Sequence, residues 1–303
     1  MPDLSRGCSA VCPELEGVER MQRVSFWKYE GLGNDFILLD ARRPGQDIPS
    51  HLAIRLCDRR CGVGGDGVLI LGAPESPDAH GNMRLINADG SEAEMCGNGI
   101  RCVAKHIGDE DPGLQRAVIS TPAGVKMCEL ERGPDGKVER VAVDMGPADF
   151  ERFSVGMPGR GPFLDEPLEG VDPALTFSVV SMGNPHLVTF NPVPEDSRLS
   201  LGTRLQTHSS FPNRINVGFA TILDDGHMRL QVFERGCGFT LACGTGAAAA
   251  AAVACRTGRM PLDRPLSVEL PGGVLVITVL SDRSGILMEG PARLVFRGDF
   301  EWR

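Results

Sequence analysis

Short elements of this chain recur at nearly one spacing. The Gly33-Asn34 turn returns 150 residues later as Gly183-Asn184. Met95-Cys96-Gly97-Asn98-Gly99 returns 147 residues later as Ala242-Cys243-Gly244-Thr245-Gly246. A Pro-x-Gly turn between apolar runs, Pro122-Ala-Gly124, returns 149 residues later as Pro271-Gly-Gly273. Matches so close to one offset identify an internal duplication, with a period far longer than the roughly 20–50 residues of a solenoid repeat. The 303 residues also suit two domains of roughly 150 residues each. The reading is therefore two similar α/β domains, with any shared site in the cleft between them.

Local patterns fill in the halves. Residues 24–40 read as two strands broken by the Gly31-Leu-Gly-Asn-Asp35 turn. A helix is expected near residues 50–60, with Ser50 as its N-cap and Gly62 as its stop. Strands are expected at 68–71 and 84–86, hairpins around the two Pro-x-Gly turns, and a further strand at 138–144.

Composition excludes several classes. With 40 acidic against 31 basic residues, a formal charge of −9 and a pI near 5.2, the chain lacks the basic face of a nucleic-acid binder. No run approaches the ~18 consecutive apolar residues that span a bilayer, so no membrane partner is expected. Ten cysteines in 303 residues are too sparse for a disulfide scaffold. There is no C-x-x-C pair, and Cys8/Cys12 and Cys57/Cys61 have no second ligand pair at finger-like spacing, so no metal is expected. Acidic Glu14, Glu16 and Glu19 stand where a secretory signal needs an apolar core, which points to a cytoplasmic chain with reduced thiols.

Two cysteines stand apart. Cys96 and Cys243 each precede a Gly-x-Gly and then a helical stretch, the second an Ala247–Val253 run apolar on all sides and hence a buried helix. A cysteine there meets unpaired N–H groups and the positive end of the helix dipole, an environment that favours thiolate. The glycines leave backbone N–H groups free to approach an anion such as a carboxylate. Two such thiols in symmetric positions suit proton removal from one face of a carbon and return to the other, inverting a stereocentre without a cofactor. Buried structural cysteine is the usual fate of a lone free Cys, but it does not account for the duplicated motif.

These residues carry a family resemblance. Gly31-Leu-Gly-Asn-Asp-Phe36, Asn87-Ala-Asp-Gly-Ser-Glu92, Met95-Cys-Gly-Asn-Gly-Ile-Arg-Cys102, Ser181-Met-Gly-Asn-Pro-His186, Glu234-Arg-Gly236 and Thr240-Leu-Ala-Cys-Gly-Thr-Gly246 occur in order. From about residue 24 to the C-terminus the chain resembles the diaminopimelate epimerase family of cofactor-independent, two-cysteine amino-acid racemases. The resemblance implies an α/β (α+β) fold of two pseudo-symmetric domains, each a curved, mostly antiparallel sheet around a central helix. Residues 24–143 with about 291–303 would form the first, and 144–290 the second. It implies an isomerase that interconverts LL- and meso-2,6-diaminopimelate for lysine and peptidoglycan precursors, without cofactor or metal, as a cytoplasmic homodimer acting on a small amino acid. Cys96 and Cys243 match the acid/base pair. Gly97, Asn98, Gly244 and Thr245 match the N–H groups that hold the α-carboxylate. Asn34, Asn87, Asn184, Asn216 and Arg235 match residues that grip the distal amino-acid end, for which amides and a guanidinium fork are suited. His186 and Glu234 match polar residues lining the site near the thiols.

Some residues depart from the pattern or read more plainly. Gly67 stands where some members carry a substrate-touching Gln, Phe239 where many have Glu, and Leu187 where Cys often follows Pro-His. Asp66 in Gly62-Val-Gly-Gly-Asp-Gly67 reads as a turn near the cleft, because the loop follows a helix and precedes a strand, the reverse of a dinucleotide loop. His51, His80, His106, His208 and His227 show no metal spacing and read as structural or exposed. Residues 1–23 have no family counterpart and are expected to be a disordered leader, with Met21 just before the usual family start. Two rivals stay open: a racemase of another amino acid such as histidine or proline, and a Cys-nucleophile hydrolase or acyltransferase, to which the second thiol is surplus.

Overall fold

The computed structural model describes residues 22–42, 49–93, 95–282 and 284–302. Its first half runs β1 (Gln22–Gly31), β2 (Asn34–Ala41), α1 (Ser50–Cys57), β3 (Gly67–Gly72), β4 (Gly81–Asn87), β5 (Glu92–Ala93), α2 (Gly97–Glu110), β6 (Arg116–Thr121), β7 (Gly124–Arg132) and β8 (Val138–Asp144). The second runs β9 (Glu166–Pro167), β10 (Thr176–Ser181), β11 (Pro185–Thr189), α3 (Glu195–Gln206), β12 (Asn216–Asp224), β13 (His227–Glu234), β14 (Gly238–Phe239), α4 (Gly244–Arg256), β15 (Leu266–Leu270), β16 (Gly273–Val279) and β17 (Ile286–Pro291). The last strand, β18 (Arg293–Trp302), returns to pair along β1.

The pairings repeat strand for strand. One half is ordered β18–β1–β2–β3–β4–β6–β7–β8, and the other β9–β10–β11–β12–β13–β15–β16–β17. Both are mostly antiparallel, with parallel pairs at the same two places, β2/β3 and β4/β6 against β11/β12 and β13/β15. A parallel neighbour needs a crossover, and the helices supply it: α1 and α3 at the first place, α2 and α4 at the second. The halves meet where β8 pairs antiparallel with β17. The chain thus folds as a sheet-dominated α+β protein built twice.

Each central helix packs against the strands of its own half, α2 on β1 and β6–β8, α4 on β10–β13 and β15–β17. Ala247–Ala254 of α4 are all buried, as the run apolar on every side requires. Small side chains let the strands close tightly around that helix. One apolar core runs through both halves, joining Ile100, Val103 and Ala104 of α2 to the α4 alanines through Met145 and Met288. Outer cores lie beneath α1 and α3: Leu52 and Leu56 join Ile37 and Leu39, and Leu205 joins Phe177 and Phe233.

Two local expectations shift. Helix α1 ends at Cys57, because the Asp58 carboxylate takes the N–H groups of Arg60 and Cys61 at 2.7 and 2.8 Å and turns the chain out of the helix before Gly62. Its N-cap is Pro49, with no side-chain cap from Ser50. β1 begins at Gln22, inside the expected leader; residues 1–21, with Cys8 and Cys12, lie outside the described residues. Among the described residues no helix is long and apolar enough to cross a membrane.

Candidate active site

The duplicated cysteines occupy duplicated places. Cys96 is the N-cap of α2 with extended backbone (φ −141°, ψ 113°), and Cys243 that of α4 (φ −126°, ψ 104°). The Cys96 thiol accepts the Gly99 N–H at 3.3 Å, a thiol doing the work of a Ser or Asp cap. Cys243 Sγ lies 3.6 Å from Thr245 Oγ1.

The glycines after each cysteine have a steric reason. A Cβ on Gly97 would fall 2.7 Å from Met288 Cε, and one on Gly244 2.9 Å from Met288 Sδ. Met288, wholly buried on β17, is therefore wedged between the two helix starts. The second glycine of each motif lies beneath its thiol: a Cβ on Gly99 would meet Leu69 at 2.8 Å, and one on Gly246 would meet Val232 at 2.9 Å and Cys243 Sγ at 3.2 Å. Only residues without a side chain let both helix N-termini converge here.

The amides form a matching pair of braces. Asn98 Nδ2 donates to Asn34 Oδ1 at 3.1 Å, and Asn184 Nδ2 donates to Thr245 Oγ1 at 3.2 Å, so each turn asparagine reaches the helix start of its own half. Asn98 Nδ2 also donates to the Ala242 carbonyl at 3.3 Å, across to the other half, while its Oδ1 is buried without a partner. Asn184 Oδ1 lies 3.0 Å from His186 Nε2. Asn216 donates to the Pro185 carbonyl at 3.0 Å and accepts the Arg235 N–H at 2.9 Å. Glu234 Oε1 accepts from the Thr240 hydroxyl at 2.5 Å. Asn34, Asn98, Asn184, Thr245, His186, Asn216 and Arg235 thus form bonded chains around the thiols. Asn87 does not join them; it bonds Ser91 in its own turn. The Arg235 guanidinium is exposed and donates to the Asn213 carbonyl at 3.2 Å.

Burial reverses one electrostatic expectation. Desolvation pushes the Cys96 thiol up despite the N–H groups of Gly99 and Asn98 and the Arg101 charge, which pull it down. Cys243 is pushed well above an ordinary thiol by burial and by Glu234. Enclosure outweighs the helix N-termini, because a thiolate away from water loses more solvation than the dipole returns. His186 is driven down to about 3 by burial and then by the Arg235 charge, so its imidazole is neutral.

Several contributors escaped the sequence reading. Asp66 holds the Asn34 turn, accepting from Asn34 Nδ2 at 2.6 Å and the Asp35 N–H at 3.1 Å, and Arg59 pairs with both Asp35 and Asp66. Its place in a Gly-rich loop gave only the turn. A side chain at Gly67 would meet Leu85 at 2.8 Å and the Ile86 carbonyl at 3.0 Å, so this chain has filled the space a glutamine needs. Phe239 packs edge-on to Phe233 at 5.1 Å and Leu187 is fully buried, so neither faces the thiols as a polar group. His106 lies with Asp40 and Glu110, ligand atoms within 4.8 Å of one another, but Arg42 binds both carboxylates, at 2.5 and 2.7 Å.

Comparison with other proteins shows the fold and the family. Solved structures with the same fold include a hydroxyproline epimerase from Agrobacterium vitis (TM-score 0.63, 14% identity, 92% of this chain and 91% of that one). A methylitaconate-delta-isomerase is similar at TM-score 0.63 and 16% identity, over 93% of this chain and 96% of that one. Relatives named diaminopimelate epimerase include that of Synechococcus elongatus, 43% identical over 284 residues (92% of this chain, 98% of the relative). That of Azotobacter vinelandii is 41% identical over 275 residues (90% and 97%). The diaminopimelate epimerase profile matches residues 26–151 and 178–295. With most of both duplicated halves inside that match, the chain belongs to the diaminopimelate epimerase family and is an isomerase.

Proposed function

We propose that this chain interconverts LL- and meso-2,6-diaminopimelate by moving the α-proton between Cys96 and Cys243. The observation that carries the reading is the pair of cysteines, each at the N-cap position of a central helix, with both helix starts packed on one residue, Met288. The thiolate form of one cysteine removes the α-proton from one face, and the thiol of the other supplies a proton to the opposite face. The electron pair left on the α-carbon delocalises into the α-carboxylate. The N–H groups of Gly97, Asn98, Gly244 and Thr245, at the positive ends of two helices, are suited to hold that charge.

The rest of the set suits the distal end of a zwitterionic amino acid. Asn34, Asn87, Asn184 and Asn216 offer donors and acceptors, and Arg235 a fork for carboxylate. Neutral His186 and carboxylate-bearing Glu234 line the thiol side. The meso product would serve lysine and peptidoglycan precursor synthesis in the cytoplasm. A homodimer belongs to the same reading, supported by the exposed apolar run Leu294, Val295 and Phe296 on β18.

The test is chiral chromatography of LL-diaminopimelate incubated with the chain, with histidine and proline in parallel. The reading expects meso product from diaminopimelate alone. Turnover of proline or histidine with none of diaminopimelate would overturn it.

A further inference from the structure

The two helix starts share the Cys-Gly-x-Gly frame and then diverge, and the first difference in charge is a buried arginine. Arg101, in the second turn of α2, is completely buried. Its guanidinium meets only uncharged acceptors: Nε donates to the Pro291 carbonyl at 3.2 Å, and Nη1 to the Gly97 carbonyl at 3.1 Å, with Met288 Sδ 4.0 Å away. Nη2 has no partner. Two glycines make its berth, since a Cβ on Gly31 would lie 3.2 Å from Nη2 and one on Gly290 3.1 Å from Nε. At the duplicate position, 147 residues on, α4 carries the buried Ala248. At this position the cation therefore stands in one half, with alanine in the other.

An arginine stays protonated in a protein, and a buried cation is costly without an anion beside it. Among the described residues, the groups that could supply one are Cys102, Cys96 and Glu30, with Arg140 opposing. Cys102 is sealed in the core, and burial holds it at about 12 even with Arg101 and Lys105 nearby. Cys96 is partly exposed, immediately precedes the glycine whose carbonyl Arg101 grips, and receives the N–H of Gly99. Among the described residues no such cation acts on Cys243; Glu234 is the charged group that does. Glu234 also bears on Cys96, but as the weakest of its influences.

We propose that Arg101 is the positioning residue that makes the two thiols unequal, so that Cys96 gives up its proton more readily than Cys243. The free enzyme then accepts first the isomer whose α-hydrogen faces Cys96, and turnover leaves the opposite state, which relaxes by exchanging protons with water. The assignment rests on the two-thiol reading. Arg101 touches no substrate; it acts through Cys96 and the first turn of α2.

The test reads the thiols without turnover. The intact protein is alkylated with iodoacetamide across a pH series, and modification of the Cys96 and Cys243 peptides is followed separately by mass spectrometry. In the unsubstituted protein the Cys96 midpoint is expected at least one pH unit below that of Cys243. Arg101→Met, of similar length but uncharged, should raise the Cys96 midpoint by a unit or more and slow its alkylation about tenfold at neutral pH, with Cys243 unmoved. Arg101→Lys, which returns the charge, should restore the order. A Cys243 midpoint at or below that of Cys96 in the unsubstituted protein overturns the assignment, whether or not the variants fold. So does an equal shift of both thiols in Arg101→Met. Loss of the two-thiol reading itself would appear elsewhere, as full activity in a single-cysteine variant.

Discussion

Asn98 Nδ2 donates to the carbonyl of Ala242 at 3.3 Å, tying the first turn of α2 to the residue just before Cys243. The bond crosses from one half of the duplication to the other beside both thiols. Asn98→Ala removes this link and the one to Asn34. A net hydrogen bond contributes about 1 kcal/mol, so kcat/KM should fall by about tenfold or more, with a lower thermal midpoint. Steady-state kinetics and a thermal melt check it; unchanged kcat/KM would mean that the link does not organise the site.

Met288 sets how close the two helix starts come. Gly97→Ala and Gly244→Ala each push a methyl into its side chain, and overpacking of this kind costs about 1–3 kcal/mol. Each should lower stability and activity together. Met288→Ala opens the space, so the double variant Gly97→Ala/Met288→Ala should show a favourable coupling of about 1 kcal/mol in a denaturation cycle. Additive losses would place the strain elsewhere.

The buried neutral imidazole of His186 makes stability depend on acid. Its folded value of about 3 lies below the roughly 6.5 of an unfolded histidine. The unfolded chain therefore takes up this proton first, and the contribution is complete above about pH 6.5 and lost progressively toward pH 3. Through the middle of that window one such proton amounts to about 1.4 kcal/mol per pH unit. The Asp35 carboxyl, held at about 2 by Arg59 and Lys28 against the opposing effect of burial, acts lower, below about pH 4. Urea denaturation at pH 4.5, 5.5 and 6.5 should show a slope one proton shallower in His186→Asn. An unchanged slope would mean that His186 is not the group responsible.

What the sequence made legible was local. Cys96 and Cys243 announce themselves because a thiol, two glycines and a helical stretch lie within a few residues, and the duplication doubles the signal. The repeated turns likewise disclose two like halves. Arg101 and Met288 are not legible as site-building residues, because their meaning comes from Met288 of β17 reaching both helix starts, which sets it 4.0 Å from Arg101, 187 residues away in the chain. The end of α1 was misjudged for a different reason. Asp58 captures two backbone N–H groups and acts before the more conspicuous Gly62 can. The thiol environment was read from helix ends alone, and burial, a property of the whole fold, dominates it.

The central claim is that both thiols are needed for inversion, and hydrogen–deuterium exchange at the α-carbon tests it most directly. In D2O, with no pyridoxal phosphate added, the unsubstituted chain should invert LL-diaminopimelate and place solvent deuterium on the inverted carbon. Cys96→Ala and Cys243→Ala should each reduce inversion by about 10²–10⁴-fold, the range for losing a general acid or base. Inversion at the full rate in either single variant would contradict the account.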